Sequence, residues 1–163
     1  MVSKSLTLKN NKQKKILLIL MIIFIMMFPF NVFALDKNYH TTYEVLEDGS
    51  YYEITIQEAS INTYALSKSG AKTIKYKDSN GNECWYVKVT GNFTFNGSSA
   101  KCTSSVITTG VYNKNWKITN KSSSKSGASA KATATAKYYY NGSVVDTRTK
   151  TVTLTCSSNG VLS

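Results

Sequence analysis

The chain has 163 residues and is basic, because 20 Lys and Arg against 9 Asp and Glu give a net charge of +11. It contains one histidine, and it lacks GxSxG, HExxH and phosphate-loop motifs as well as clusters of metal-ligating residues. Of the three carboxylates after residue 58, only Asp78 and Glu83 are close in sequence, so a positioned pair for glycoside hydrolysis is not expected. We therefore expect a protein that is not an enzyme and uses no cofactor or metal.

The N-terminal segment, residues 1–34, has the layout of a secretory signal peptide. Five lysines precede an apolar run from Ile16 to Phe28, and Val32-Phe33-Ala34 presents small residues at its first and third positions. The alternative is a membrane anchor, but a run of roughly 15 residues is shorter than the about 20 that a spanning helix needs. We expect cleavage after Ala34 and a secreted protein, extracellular or loosely associated with the cell envelope, with no stable membrane insertion.

The charge of the remaining chain is unevenly distributed. Without the five N-terminal lysines, 15 basic and 9 acidic residues remain, a net charge of +6. Residues 36–58 carry six carboxylates and only Lys37, whereas residues 59–163 carry 14 basic residues and three carboxylates. Three interpretations stand: an acidic segment lying on a basic face, a basic face for an acidic partner, and simple solubility. We predict a mobile acidic leader or linker over residues 35–70 and a folded domain over residues 71–163.

Alternation of period two predicts strands through the rest of the chain. The clearest strand runs from Cys84 to Phe95, where Trp85, Val87, Val89, Gly91 and Phe93 share one face. Gly91 within it predicts a bulge or a bend. Turn signals recur along the chain, and no amphipathic helix is predicted after the signal peptide. The sequence thus predicts an all-β fold, a single antiparallel β-sandwich of Ig-like type with roughly six to seven strands.

A long hairpin is predicted from Ala128 to Cys156, with its turn at Asn141-Gly142. A two-residue type I′ turn would pair Lys137 with Asp146. A three-residue loop would pair even positions with even positions, so that Ala130 faces Val152 and the inward apolar stripe is continuous. We favour the second register, because burial should outweigh one exposed ion pair that contributes about 0–1 kcal/mol.

Three cysteines follow the signal peptide, in a compartment that is expected to be oxidising. Cys102 and Cys156 are each in phase with apolar neighbours and should face inward, so we predict a disulfide between them. Cys84 lies in the phase opposite to Trp85 at the start of a strand, which predicts an exposed free thiol. We expect a monomer, and a dimer linked through Cys84 is the alternative.

Basic residues cluster with aromatic ones in the second half of the domain. We predict a polyanion-binding surface that consists of Lys114, Lys117, Lys121, Lys125, Lys131, Lys137, Arg148 and Lys150. For a secreted protein, anionic cell-envelope polymers or a protein partner are the expected ligands rather than nucleic acid. One alternative is that these lysines only solvate an edge strand. Another is a secreted effector or antimicrobial protein whose acidic leader is removed by proteolysis.

Three segments, "GNFTFNGSSAKCTSS", "YNKNWKITNKSSSKSGASAKATATAKYY" and "KTVTLTCSSNGVLS", resemble a family of small secreted proteins of Gram-positive bacteria that is classed as a domain of unknown function. The resemblance covers about residues 71–163. Cys102, Trp116, the "SKSG" at 124–127 and Cys156 match its pattern, and Cys84 departs from it. The resemblance implies a secreted β-rich domain and supplies no activity, so no catalytic residue is carried over.

Overall fold

The structure, a computed structural model, describes residues 39–59 and 66–163, and the expected signal peptide lies outside these residues. The described chain contains eight strands in sequence order, which are β1 (Tyr39–Val45), β2 (Tyr51–Glu58), β3 (Ser67–Lys77), β4 (Glu83–Phe95), β5 (Ala100–Val111), β6 (Trp116–Ser126), β7 (Ser129–Tyr140) and β8 (Ser143–Thr155). No helix in this part of the chain is long and apolar enough to cross a membrane.

The strands form two antiparallel sheets, one with the order β1-β2-β3-β4-β5 and the other with the order β6-β7-β8. Their packed inner faces make the core, which confirms the prediction of an all-β antiparallel sandwich. Strand β8 packs over β3 and β4, while β5 and β6 meet at one edge. The strand count of eight exceeds the predicted six to seven because residues 39–45 add β1 to the sheet.

The described part of the segment predicted to be a mobile acidic leader, residues 39–59 and 66–70, belongs to the sandwich. Strand β2 pairs with β3 along its length, with Ile54 opposite Ile74. Tyr52 is buried, and its ring lies 6.4 Å from the ring of Trp85. The alternation of Tyr52, Ile54 and Ile56 indicates a strand here, but the carboxylates of the segment led to its prediction as a mobile leader. Removal of residues 35–70 would therefore take β1, β2 and part of β3 from the fold.

Strand β4 supplies the centre of the core. Trp85, Val87, Val89 and Phe93 are fully or almost fully buried, as their shared phase predicts. The facing strand β7 presents small side chains, Ala130, Ala132, Ala134 and Ala136, which are equally buried. The sheets approach closely here, because a Cβ atom at Gly91 would lie 3.0 Å from Cβ of Ala130. The β4–β5 ladder shifts register between Asn92 and Phe93, where Thr103 of β5 is the extra residue, so the bulge expected at Gly91 of β4 lies in the neighbouring strand instead.

The β7–β8 hairpin combines features of both predicted registers. Asn141 and Gly142 form a two-residue turn with positive φ values of 48° and 81°, as a type I′ turn requires. A register shift between Tyr138 and Tyr139 then changes the phase, so even positions face even positions along the rest of the ladder. Ala130 faces Leu154 rather than Val152, two residues from the favoured register. The inward apolar stripe is preserved, although a bulge and not a longer loop produces it.

The cysteines differ from their predictions. All three are free and buried, so the predicted Cys102–Cys156 disulfide is absent from the structure. Both of these residues face inward as expected, and their backbone amides donate to the adjacent carbonyls of Gly127 and Ala128. Cys84 is only 2 % exposed, which contradicts the predicted exposed thiol and leaves no accessible sulfur for a Cys84-linked dimer. The register shift at Tyr76/Lys77 leaves Cys84 as the extra residue of a bulge, and the bulge turns it inward.

Candidate polyanion-binding surface

The longest interval without a carboxylate extends from Cys84 to Val145. It carries eight lysines, and all of β5, β6 and β7 lie within it. These three strands are contiguous in space, because β5 packs against both β6 and β7. Their lysines and the one in the β5–β6 turn are here named the basic side, which consists of Lys101, Lys114, Lys117, Lys121, Lys125, Lys131 and Lys137. Lys137 is half-buried and the other six are exposed.

The seam between β5 and β6 positions part of the basic side. Lys125 Nζ donates to the carbonyl of Thr103 at 2.6 Å, and Ser123 Oγ to that of Ser105 at 3.5 Å, so side chains link the two edge strands. The bulge of β6 after Ile118 shifts Lys121 and Lys125 into the phase of the buried alanines of β7. These lysines consequently lie along the seam, beside shallow depressions of about 260 and 450 Å³.

The outer face of the three-stranded sheet carries the remaining lysines of its strands. Lys117 faces Lys137 across the β6–β7 ladder, and Lys131 lies on the same face of β7, six residues from Lys137. The hydroxyl groups of Thr133 and Thr151 are 2.8 Å apart, so a threonine ladder lines this face. Lys117 Nζ also lies 4.9 Å from the centre of the Tyr139 ring, which is a cation–π contact. The face therefore offers positive charge, hydroxyl groups and one aromatic ring.

The basic side carries uncompensated charge. Within residues 39–59 and 66–163, none of its lysines has a carboxylate within ion-pair distance. The cations that do have partners lie on β3 and β8; they are Lys68, Lys75, Lys77, Arg148 and Lys150. The free positive charge of the described sandwich is thus concentrated at the side formed by β5, β6 and β7, with Lys72 and Lys88 as the two others outside it.

Arg148 and Lys150 do not belong to the predicted binding surface. Arg148 donates to Asp48 at 2.8 Å and to Asp146 at 2.7 Å, and its guanidinium lies 4.6 Å from the centre of the Tyr76 ring. Lys150 binds Glu44 at 2.8 Å and lies over the ring of Tyr52. Both side chains extend from the inner face of β8, and carboxylates of the same chain already pair with their charges. The interpretation of an acidic segment on basic residues therefore describes this part of the molecule.

The carboxylate of Asp48 is strongly held in its charged form. Hydrogen bonds from the Ser50 hydroxyl, from Arg148 and from the Ser50 amide lower its pKa from 3.8 to about 2. A concavity of about 280 Å³ adjoins this ion pair and is lined by Tyr76, Trp116 and Tyr138 among others. In the residues that the structure describes, no group of three or more His, Cys, Asp or Glu side chains could hold a metal ion.

Two features of the surface are absent from the sequence-based prediction. The first is Lys101, which lies beside Lys125 at the seam between β5 and β6. The absence of carboxylates from Cys84 to Val145 is a sequence signal that would have added Lys101 to the predicted surface. The second feature is a groove beside β8 whose lining includes His40, Ile54 and Lys72. The sequence contains no signal for this groove, because it depends on how far one sheet extends beyond the other. His40 was expected in a mobile segment and instead lies in β1 with an exposed side chain.

In comparisons with known proteins, no protein-family model, no curated protein and no solved structure matches this chain. The resemblance noted from residues 71–163 accordingly remains an expectation.

Proposed function

We propose that the chain is a secreted, non-enzymatic protein that binds anionic polymers of the cell envelope through its basic side. One observation carries the proposal, which is the concentration of seven lysines, without ion-pair partners in the described residues, on contiguous strands β5, β6 and β7 and the β5–β6 turn. The charge-compensated lysines of β3 and the paired cations of β8 are not part of the proposed surface. The signal-peptide layout of residues 1–34 supports an envelope ligand over an intracellular polyanion.

The physical basis is accumulated electrostatic attraction. A polymer with regularly spaced anionic groups contacts several lysines at once, and each contact releases counterions from the polymer. No nearby carboxylate in the described chain pairs with these ammonium groups, so all of them are available to an anionic ligand. Because six of the seven lysines are exposed, salt should screen the interaction strongly over a distance of about 10 Å at 0.1 M ionic strength.

The test is sedimentation of the purified protein with isolated cell walls at increasing salt concentration. The walls are used intact and after chemical removal of their anionic polymers. We expect binding to intact walls that weakens steeply with salt and is lost when the polymers are removed. Binding that is unchanged by salt, or equal for both wall preparations, would contradict the proposal.

A matched pair of variants tests the location of the site. Lys117→Gln with Lys121→Gln removes two charges from the basic side, where neither lysine has an ion pair. Lys75→Gln with Lys77→Gln removes the same charge from residues bound to Glu83 and Glu53. We expect the first pair to weaken wall binding by about tenfold with a shallower salt dependence, and the second to change it little. Equal losses would show that net charge alone determines binding.

A further inference from the structure

Among the residues that the structure describes, no strand covers the inner faces of β1 and β2. Strand β8 is the edge of the smaller sheet and packs over β3 and β4, while no strand of that sheet lies over β1 or β2. Only the long side chain of Lys150 reaches across to Glu44, and that of Arg148 to the β1–β2 turn. The five-stranded sheet therefore extends past its partner by about the width of two strands, which are roughly 4.8 Å apart.

A groove of about 650 Å³ occupies this overhang, and we name it the β8 groove. Its floor includes Ile54, Ile56 and Ile74 on the inner face of β2 and β3, and one wall is the edge of β8. The Glu44–Lys150 ion pair lies towards one end and Leu162 towards the other. From His40 to Glu44 the groove follows β1 for about 14 Å, at roughly 3.4 Å for each residue of an extended chain.

The wall of the groove presents unpaired backbone groups. The amide of Thr155 donates to the carbonyl of Ser163 at 2.9 Å, and the amide of Ser163 donates to that of Thr155 at 3.0 Å. The amide and carbonyl groups of Thr155 therefore point away from β7. Because these directions alternate along a strand, the amide and carbonyl groups of Thr151 and Thr153 point the same way. Both residues line the groove, and the described chain provides no strand beside them. Leu162 and Ser163 show that this edge of β8 accepts an antiparallel strand.

The groove also contains a cation without a partner. Lys72 faces Ile56 on the inner side of β3 and is half-buried, and no described carboxylate lies within ion-pair distance of it. Burial lowers the pKa of its ammonium group, and nothing within reach offsets that burial. An acidic group in the groove would therefore gain an ion pair in a partly desolvated place. The apolar floor and the unpaired cation together favour a ligand that has apolar side chains and one carboxylate.

We propose that the β8 groove binds an extended peptide segment of a partner protein as a fourth strand of the smaller sheet. Its backbone pairs with Thr151 and Thr153, alternate apolar side chains cover Ile54 and Ile56, and a carboxylate in the same phase binds Lys72. This is strand addition to an exposed sheet edge, in which backbone hydrogen bonds supply affinity and alternate side chains supply specificity. The surface is separate from the basic side, so this inference does not depend on the proposed polymer binding.

The test uses a synthetic peptide in which threonine alternates with isoleucine and the central isoleucine is replaced by glutamate. Binding is followed by amide chemical shifts and hydrogen exchange of the intact protein. We expect shifts in β8 and β2, and slower exchange of the Thr151 and Thr153 amides. A peptide with methylated backbone nitrogens should not bind. Equal binding of the methylated peptide, or protection of these amides by self-association without peptide, would overturn the proposal.

Two variants locate the contacts. Lys72→Glu should weaken binding of the glutamate peptide at least tenfold and restore binding to a peptide with lysine at that position. Thr151→Pro removes an amide that points away from β7 and the exposed hydroxyl contact with Thr133, so the fold should persist while binding is lost. Lys117→Gln with Lys121→Gln should leave peptide affinity unchanged, which separates this site from the polymer surface. An unchanged preference in the Lys72→Glu protein would refute the proposed ion pair even if the proline variant fails to fold.

Discussion

Arg148 and Asp48 join the two sheets through an ion pair of 2.8 Å between residues 100 positions apart in sequence. Asp48 lies in the turn between β1 and β2, and Arg148 extends from the inner face of β8. The same guanidinium binds Asp146 and lies on the ring of Tyr76, so one side chain bridges a turn, a strand and the aromatic end of the core. The acidic N-terminal segment is thereby attached to the body of the protein.

Replacement of Arg148 by glutamine should destabilise the protein. The side chain is 20 % exposed, and its loss leaves Asp48 and Asp146 without their common partner. Hydrogen bonds to charged groups contribute more than neutral ones, so we expect a loss of about 2 kcal/mol in the free energy of unfolding. Denaturant titration measures it. Lys121→Gln is the control, because that exposed lysine has no ion pair in the described chain and should change stability by about 0.5 kcal/mol or less.

Acid should release the contact between Asp48 and Arg148. Because the folded state lowers the pKa of Asp48 from 3.8 to about 2, the unfolded chain binds a proton there first as the pH falls. The stabilising contribution is complete above about pH 4 and is lost as the pH falls towards about 2. The difference in unfolding free energy between the wild type and Asp48→Asn should shrink over this interval. A difference that stays constant with pH would refute the assignment.

The buried thiols should make the protein less stable in alkali. Burial raises the pKa of Cys84, Cys102 and Cys156 above the ordinary value of 9.0. The folded state therefore retains protons that the unfolded chain releases, and stability should be full below about pH 9 and should decline above it. Thiol titration provides the second measurement. All three cysteines should react rapidly in denaturant and slowly in the native protein, and rapid native reaction of Cys84 would show that it is exposed.

Gly70 and Leu162 should be coupled in a double-mutant cycle. Leu162 is 6 % exposed, and a Cβ atom at Gly70 would lie 2.2 Å from its Cδ1. Leu162→Ala should cost about 2–4 kcal/mol through lost burial and a cavity. Gly70→Ala should also destabilise, but it should cost less in the Leu162→Ala background, where the methyl group has room. The carbonyl of Gln57, 3.2 Å from that Cβ position, prevents complete relief. Additive effects in denaturant titrations would show that the tail does not pack on Gly70.

Alternation in the sequence was a sound guide wherever a strand is regular. It identified the inward face of β4 from Trp85 to Phe93 and the buried alanines of β7. It failed at bulges, because one extra residue reverses which side chains face inward. The bulge before Trp85 turns Cys84 inward against the prediction, whereas the bulge at Tyr138/Tyr139 changes the β7–β8 pairing by two residues and keeps the predicted inward stripe.

The candidate surfaces were predictable to different degrees. The position of the free lysines follows from a local property, the absence of carboxylates between Cys84 and Val145. The pairing of Arg148 and Lys150 with Asp48 and Glu44 depends on contacts about a hundred residues apart, which a period-two pattern does not encode. The β8 groove depends on the offset between two sheets and on the unpaired edge of β8, and neither property is local.

The uneven distribution of charge gives this molecule an electric dipole. Strands β1 and β5 form opposite edges of the larger sheet, and the seven lysines of the basic side lie on β5, on β6 and β7, and in the β5–β6 turn. Such an arrangement is an electric dipole, which turns in the field of an anionic surface before contact. The protein should therefore adsorb with its β5–β6 edge downward and its β1 edge outward. A layer of such molecules would share one orientation, with every β8 groove accessible from the surrounding medium.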